Sequence, residues 1–354
     1  RVGAAPPVLA LLLLTLRPCY QTSALLPDFG TETSRMVLTP DRRVLGAGYS
    51  RCTCPPRRDM VAHIERLEPV IDWLACPVCA RQGCWQRLTA DGTSLVCPHR
   101  HTIDVARQGY ATMTAGPAGA NADTAAMLDA RTRVLSSGLL DPVDDLLARR
   151  LHGAQRILEV GAGTGFHLAA VLDRLGAPAQ GLATDISPAA VRRAAVAHPR
   201  MSAVVADTWQ QIPLRDGQVD AIMCIFAPRN RAEFARVLPD GGTLVVVTPM
   251  ADHLVQLRDL AGMISVAPHK QSTLLASLSG SFEPVARDHI RRTVTLEPDL
   301  AADVVAMGPS AHHAAAAHLD DSVDVTVALE VTTLRKAASP GGRTASHAAM
   351  EADG

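Results

Sequence analysis

Apolar residues in the middle of the chain fall into short uninterrupted runs, separated by turn residues and by stretches of helical period. "RILEV", "AQGLATD", "SAVVAD", "VDAIMCIF" and "TLVVVTP" each read as a strand buried on both faces. Between them "SPAAVRRAAVAH" places Ser187 as a cap and Pro188 at the first helical position, and "RNRAEFARVL" has helical spacing. Ahead of the runs, "AAMLDARTRVLSS" predicts a helix capped by Asp123 or Thr124 and stopped by Gly138. "DPVDDLLARRL" then restarts with Asp141 as N-cap and Pro142 behind it. "RRTVTLEP" and "VDVTVALEVTTL" are late strands, expected as an antiparallel edge. The alternation predicts an α/β fold with a mainly parallel sheet and helices on both faces.

The flanks lack this pattern. The first apolar run, Ala4 to Leu16, is uncharged for 13 residues, whereas a bilayer span needs about 20, so no membrane partner is expected. Residues 1–59 show neither sustained periodicity nor a motif. They are read as a leader, disordered or foreign to the native protein, with a signal peptide as the competing reading and Met36 or Met60 as alternative starts. Residues 60–115 form a small turn-rich module, 116–335 the main domain and 336–354 a disordered tail. The chain has 354 residues, 47% of them hydrophobic, enough for a sizeable core. Lys+Arg at 34 against Asp+Glu at 35 leave a net charge of -1, so any basic footprint for a nucleic acid has to be local.

"CPVCARQGCWQRLTADGTSLVCPHRH" supplies such a local feature. Cys76-x2-Cys79 and Cys97-x3-His101, 17 residues apart, match two short knuckles around a tetrahedral structural zinc. Spacing alone leaves Cys84 as an alternative to Cys79 and His99 as an alternative to His101. A redox pair is disfavoured because no βαβ unit surrounds the first knuckle, and a disulfide framework would need an oxidising compartment. Cys84 is left as a free thiol, and Cys52 and Cys54 are assigned nothing.

"EVGAGTG" follows a strand and places Glu159, Gly161, Gly163 and Gly165 at alternating positions. Glycines there permit a tight turn and a close ligand approach beside a helix N-terminus. A dinucleotide motif would carry its third glycine one residue later. Asp185, 20 residues after Gly165, ends the next strand and suits two ribose hydroxyls. Asp207 closes the strand after that, facing an adenine edge, with Trp209 to cover the ring. This ordered set, with "LPDGGTL", resembles the class I S-adenosylmethionine-dependent methyltransferases over residues 123–335. The resemblance implies a Rossmann-like, mostly parallel seven-stranded sheet. It also implies that Gly161, Gly163 and Thr164 flank the methionine portion of the methyl donor, and no phosphate anchor is required.

The order of the two modules, "CPVC...CPHRHTIDVARQGY" before "LEVGAGTG" and "CIFAPRNRAEFARVL", resembles the 23S ribosomal RNA guanine-N1 methyltransferases of the RlmA type. The likeness is greatest to the branch conferring tylosin and mycinamicin resistance in macrolide producers. It implies Cys76, Cys79, Cys97 and His101 as zinc ligands, and donor contacts at Leu140 and His253. Leu140 stands where some relatives have tyrosine, so only a backbone or packing contact is carried over. Guanine N1 is protonated at neutral pH, so transfer also needs a proton acceptor or a water path. Phe226, shaped in its loop by Pro228, is a candidate to stack on the base; His312 or His313 is a candidate acceptor. Cys224 is read as a buried strand thiol. Arg81, Arg87, Arg100 and Arg107 in the cysteine-bearing stretch outnumber its acids and, with Arg229 and Arg231, form a candidate RNA footprint. The resemblance further implies a homodimer, a cytoplasmic location and macrolide resistance. A small-molecule methyltransferase of antibiotic biosynthesis and a non-catalytic zinc-ribbon RNA-binding protein are the alternatives.

Overall fold

In the computed structural model, which describes residues 63–114, 123–261, 276–308 and 320–338, the cysteine-bearing stretch makes a small sheet of its own. β1 (Thr89–Asp91), β2 (Ser94–Val96) and β3 (Thr102–Asp104) pair antiparallel in that order, beside the single turn of α1 (Pro77–Ala80). β4 (Ala111–Thr112) leaves this sheet for a larger one. The leader of residues 1–59, the candidates His312 and His313, and residues from 339 onward lie outside the described residues.

α2 (Ala125–Ser136) begins at Thr124, whose side chain accepts the Met127 N–H; of the two expected caps, threonine takes the role. α3 (Asp141–Arg150) starts one residue earlier than expected, with Leu140 at the cap and Asp141 already in the first turn. The carboxylate there still favours the helix, because it lies at the positive end of the macrodipole. β5 (Arg156–Val160), α4 (Phe166–Leu175), β6 (Gln180–Asp185), α5 (Pro188–Ala194), β7 (Met201–Val205), β8 (Ala221–Ile225), α6 (Arg231–Val237) and β9 (Thr243–Pro249) follow the expected alternation. α7 (Val255–Ala261), β10 (Phe282–Leu296), α8 (Pro298–Ala306) and β11 (Val323–Lys336) complete the described elements.

The large sheet has the order β10-β11-β9-β8-β5-β6-β7-β4. β4, β5, β6, β7, β8 and β9 run parallel, while β11 is antiparallel to both β9 and β10. This is the class I methyltransferase arrangement, with β4 as an extra edge strand. Strand order reverses at β5, so the crevice beyond its carboxyl end, next to β6 and β8, is where such a sheet binds ligands. β10 starts nine residues before the expected Arg291. Its residues alternate between exposed and half-buried, the mark of an edge strand rather than of the central runs.

One face of the sheet packs Ile157, Ala183 and Val205 under Val134, Leu147, Leu168 and Leu172 of α2, α3 and α4. The other packs Leu158, Val160, Leu182 and Val204 against Phe234 of α6 and against Leu67, Trp73, Leu74, Cys76 and Cys79. The cysteine module therefore has no separate core. It is also joined through the backbone: Ala75 N–H donates to Pro213 O (3.0 Å), Arg215 N–H to Trp73 O (2.9 Å) and Met113 N–H to Val205 O (2.8 Å). No described helix is long and apolar enough to cross a membrane.

Leu74 is fully buried at this junction. Leu74→Ala is expected to cost about 2–5 kcal/mol and to lower the melting temperature of the whole unit in one transition. Calorimetry checks this, since a separate early transition would mean that the module does not share the core.

Candidate functional site

The first knuckle forms because Cys76 precedes Pro77 at the start of α1 and its carbonyl accepts the Ala80 N–H (2.9 Å). The second closes through Arg100 N–H on Cys97 O (2.8 Å), with Arg100 in the left-handed region at φ 64°. Together they bring the ligand atoms of Cys76, Cys79, Cys97 and His101 within 4.8 Å of one another. His101 Nδ1 lies 3.6, 3.3 and 3.4 Å from the sulfurs of Cys76, Cys79 and Cys97, and the Cys79 and Cys97 sulfurs are 3.8 Å apart. A tetrahedral zinc with bonds near 2.3 Å to sulfur and 2.0 Å to nitrogen sets its ligands about 3.5–3.8 Å apart, so these four residues fit the ion. Of the two alternatives that spacing left open, His99 approaches only Cys79 (3.4 Å), and Cys84 accepts from Gln86 Nε2 (2.9 Å).

At the sheet's carboxyl edge, the turn after β5 is held by its neighbours. Gly163 N–H donates to Asp185 Oδ2 (2.9 Å), Ser187 N–H to Asp185 Oδ1 (2.8 Å), and Ala162 N–H to Thr184 O (2.9 Å). Gly161 and Gly163 have φ of 63° and 57°, the left-handed region that a side chain strains. A Cβ on Gly161 would meet the Ala227 side chain at 2.7 Å, so the turn lies directly against the loop after β8. Thr164 is buried within the turn. Burial raises the Asp185 carboxyl above its ordinary value, opposed by the Ser187 and Gly163 N–H groups.

Behind the turn lies a polar interior of which sequence reading picked out Glu159 but not His167 or Asp144. Glu159, 1% exposed, accepts the Leu168 N–H at the start of α4 (3.2 Å), and burial pushes its carboxyl up to about 8. His167 Nδ1 lies 2.6 Å from Oδ1 of Asp144, also 1% exposed. Burial pulls the His167 imidazolium down, but its hydrogen bond and charge interaction with Asp144 outweigh this and raise it. Arg131 was missed as well: its guanidinium pairs with Asp123, donates to Met307 O (2.9 Å) and lies 3.1 Å from where a Cβ on Gly163 would be. A mid-helix arginine carries no sequence signal for this, because its partners are 8 and 176 residues away.

The other expected residues spread around this turn. Leu140 is buried in the core at the start of α3. Phe226, 47% exposed and at φ 53°, follows β8 and stacks on His253, with ring centroids 6.5 Å apart. His253 Nδ1 accepts the Ala328 N–H (3.2 Å), which leaves the proton on Nε2, and burial holds its imidazolium down to about 4. Pro228 is exposed in the same loop; Cys224 is buried, its thiol pushed up to about 12. The Asp207 carboxylate caps its own turn, accepting from Trp209 N–H (3.0 Å) and Gln210 Nε2 (3.1 Å). Trp209 is 69% exposed. Arg81, Arg87, Arg100 and Arg107 are exposed.

Two outcomes follow. Cys97→Ser should reduce bound zinc from one per chain toward zero and lower the melting temperature, while Cys84→Ser leaves both unchanged, as metal analysis and thermal unfolding would show. His253 takes a proton near 6.5 in the unfolded chain but only near 4 in the folded one, so the unfolded chain binds more protons between these values. Stability should therefore fall as pH drops through that window, and His253→Gln should lose this component of the fall in pH-dependent melting.

Residues 157–242, from β5 to the turn before β9, match the methyltransferase domain family. The 23S rRNA (guanine(748)-N(1))-methyltransferase of Streptomyces fradiae is 44% identical over 250 residues, 69% of this chain and 87% of that protein. A Micromonospora griseorubida protein assigned as a 23S rRNA (guanine-N(1)-)-methyltransferase is 41% identical over 287 residues, 74% of this chain and 97% of its own length. A Bacillus subtilis (strain 168) protein with the same assignment is 35% identical over 193 residues, 52% of this chain and 66% of its own. With the class I sheet and the three-cysteine, one-histidine cluster already in place, these likenesses show that the chain belongs to the 23S rRNA (guanine-N1)-methyltransferases.

Proposed function

We propose that this protein transfers the methyl group of S-adenosylmethionine to N1 of one guanosine in a hairpin loop of 23S rRNA. The observation that carries the reading is the meeting of the glycine turn, Asp185 and the Phe226–His253 stack at the carboxyl edge of one sheet, in a unit built onto a zinc-type cluster. S-adenosylmethionine supplies an electrophilic methyl on sulfur. Around it, Gly161, Gly163, Thr164 and Gly165 shape the turn, and Asp185 retains lone pairs for the ribose hydroxyls. Asp207 and Leu140 contribute through turn and packing, and Glu159 braces the turn from beneath. Arg131 sets a positive charge beside Gly163, suited to the donor's carboxylate.

On the substrate side, Phe226 offers a face for the base, a contact worth about 1–3 kcal/mol. His253 is a donor only: its Nδ1 is occupied and its Nε2 carries hydrogen. It can orient a guanine oxygen or the methyl donor, but it does not take the N1 proton; that proton goes to solvent or to another acceptor, for which His312 and His313 remain candidates. The exposed arginines supply phosphate contacts. A homodimer, a cytoplasmic location and protection against tylosin- or mycinamicin-type macrolides belong to the same proposal and rest on the family resemblance.

A methyl on N1 blocks Watson–Crick pairing. Reverse transcription of 23S rRNA treated with protein and S-adenosylmethionine should therefore stop beside one guanine, and only when both are present. No stop would contradict the proposal and favour a small-molecule substrate or a non-catalytic role. Asp185→Asn should weaken S-adenosylmethionine binding by about 1.5–3 kcal/mol, roughly 10- to 150-fold in Kd by titration calorimetry.

A further inference from the structure

Between the first cysteine knuckle and the loop after β7 lies a cleft of about 480 Å³ to which the roles above assign no ligand of its own. Pro77, Ala80 and Arg81 line it from the knuckle, and Trp209, Gln211 and Asn230 line it from the sheet's carboxyl edge. Its volume is in the range of small-ligand sites, roughly 300–1,000 Å³. Its chemistry is selective. The lining carries two charged side chains, Arg81 and Glu233, and Glu233 is already paired with Arg236 at 2.6 Å. Arg81 is thus the uncompensated charge. Trp209 presents its indole with 69% of its surface open, and the exposed Gln211 has an amide with no partner among the described residues.

The wall at the sheet's carboxyl edge is tied by hydrogen bonds. Asn230 Nδ2 donates to Thr208 O and Gln210 O (both 3.0 Å), and its Oδ1 accepts the Glu233 N–H (3.3 Å) as the cap of α6. The Trp209 backbone N–H donates to Asp207 Oδ1 (3.0 Å), which holds the backbone from which the exposed indole projects. Asn230 also ends the loop that begins at Phe226, so one end of the cleft opens on the loop proposed to receive the target guanine.

We infer that this cleft is a second base site. It holds an unpaired nucleotide of the RNA that flanks the target, with its base stacked on Trp209, its edge read by Gln211 and its phosphate at Arg81. An aromatic face, a free amide and a single cation are what a single-stranded nucleotide requires. The competing occupant of the Trp209 face is the adenine of the methyl donor, and the two make opposite demands on a binding experiment.

The inference rests on the rRNA reading, so wild-type methylation of 23S rRNA is established first; its absence would fail that reading, not this one. Trp209→Ala and Trp209→Phe are then titrated with a 23S rRNA hairpin transcript and, separately, with S-adenosylhomocysteine. Trp209→Ala should raise the Kd for the hairpin about 5- to 100-fold, Trp209→Phe should restore much of it, and the Kd for S-adenosylhomocysteine should stay at the wild-type value. Arg81→Gln should reduce the salt dependence of hairpin binding by about one counterion. Weakened S-adenosylhomocysteine binding would assign Trp209 to the donor's adenine and overturn the inference; so would unchanged hairpin affinity in Trp209→Ala.

Discussion

The working end of the sheet depends on one carboxylate. Asp185 ends β6, and its two oxygens accept N–H groups from Gly163, in the turn after β5, and from Ser187, at the cap of α5. Two strand ends, a turn and a helix start are thereby fixed to one side chain. The bond to Gly163 depends on a left-handed backbone there, which glycine adopts at little cost. Because the turn is held in this way, Gly161 can lie against Ala227, and the loop carrying Phe226 is placed beside the proposed donor site. The residue that would hold the ribose is therefore also the one that shapes the turn around the methionine portion.

Beneath this turn the protein buries groups that would ordinarily face water. Glu159, His167 and Asp144 come from β5, α4 and α3, and they link the sheet to two of the helices that cover it. An ionised carboxylate there is costly unless hydrogen-bonded or balanced by charge; burial pushes the Glu159 carboxyl up to about 8, toward its neutral form, while it accepts the Leu168 N–H, and Asp144 has His167. Asp144 Oδ2 has no partner in the described structure, so the network is only partly satisfied. Such a network favours one relative placement of α3, which starts at the buried Leu140, and α4.

Much of this was legible in the sequence, for local reasons. Continuous aliphatic runs marked the central strands, Thr124 and Ser187 marked helix starts, and the knuckle spacing marked a metal cluster, because each signal lies within a few residues of what it specifies. Features made by distant partners were not legible. β4 is two residues long and has meaning only through its pairing with β7. β10 alternates polar residues along an edge, so its first half does not read as a strand. Arg131 finds Asp123 and Met307 only after folding, and the His167–Asp144 pair spans 23 residues. The choice between His99 and His101 was open from spacing, and the fold brings His101 to all three sulfurs.

The cysteine module and the methyltransferase sheet are one packed object. The module's buried residues share a cluster with Leu158, Val160 and Phe234, and its last strand extends the sheet. A metal that holds the two knuckles thus also fixes one wall of the cleft beside Trp209, while Asp185 fixes the turn across the same edge. The central claim is that these parts present one guanine to a methyl donor through its N1. It is tested most directly by digesting 23S rRNA, after incubation with the protein and isotope-labelled S-adenosylmethionine, to nucleosides and identifying the labelled product by mass spectrometry. The account predicts label in 1-methylguanosine at up to one per rRNA molecule; label in any other nucleoside, or none in the RNA, would contradict it.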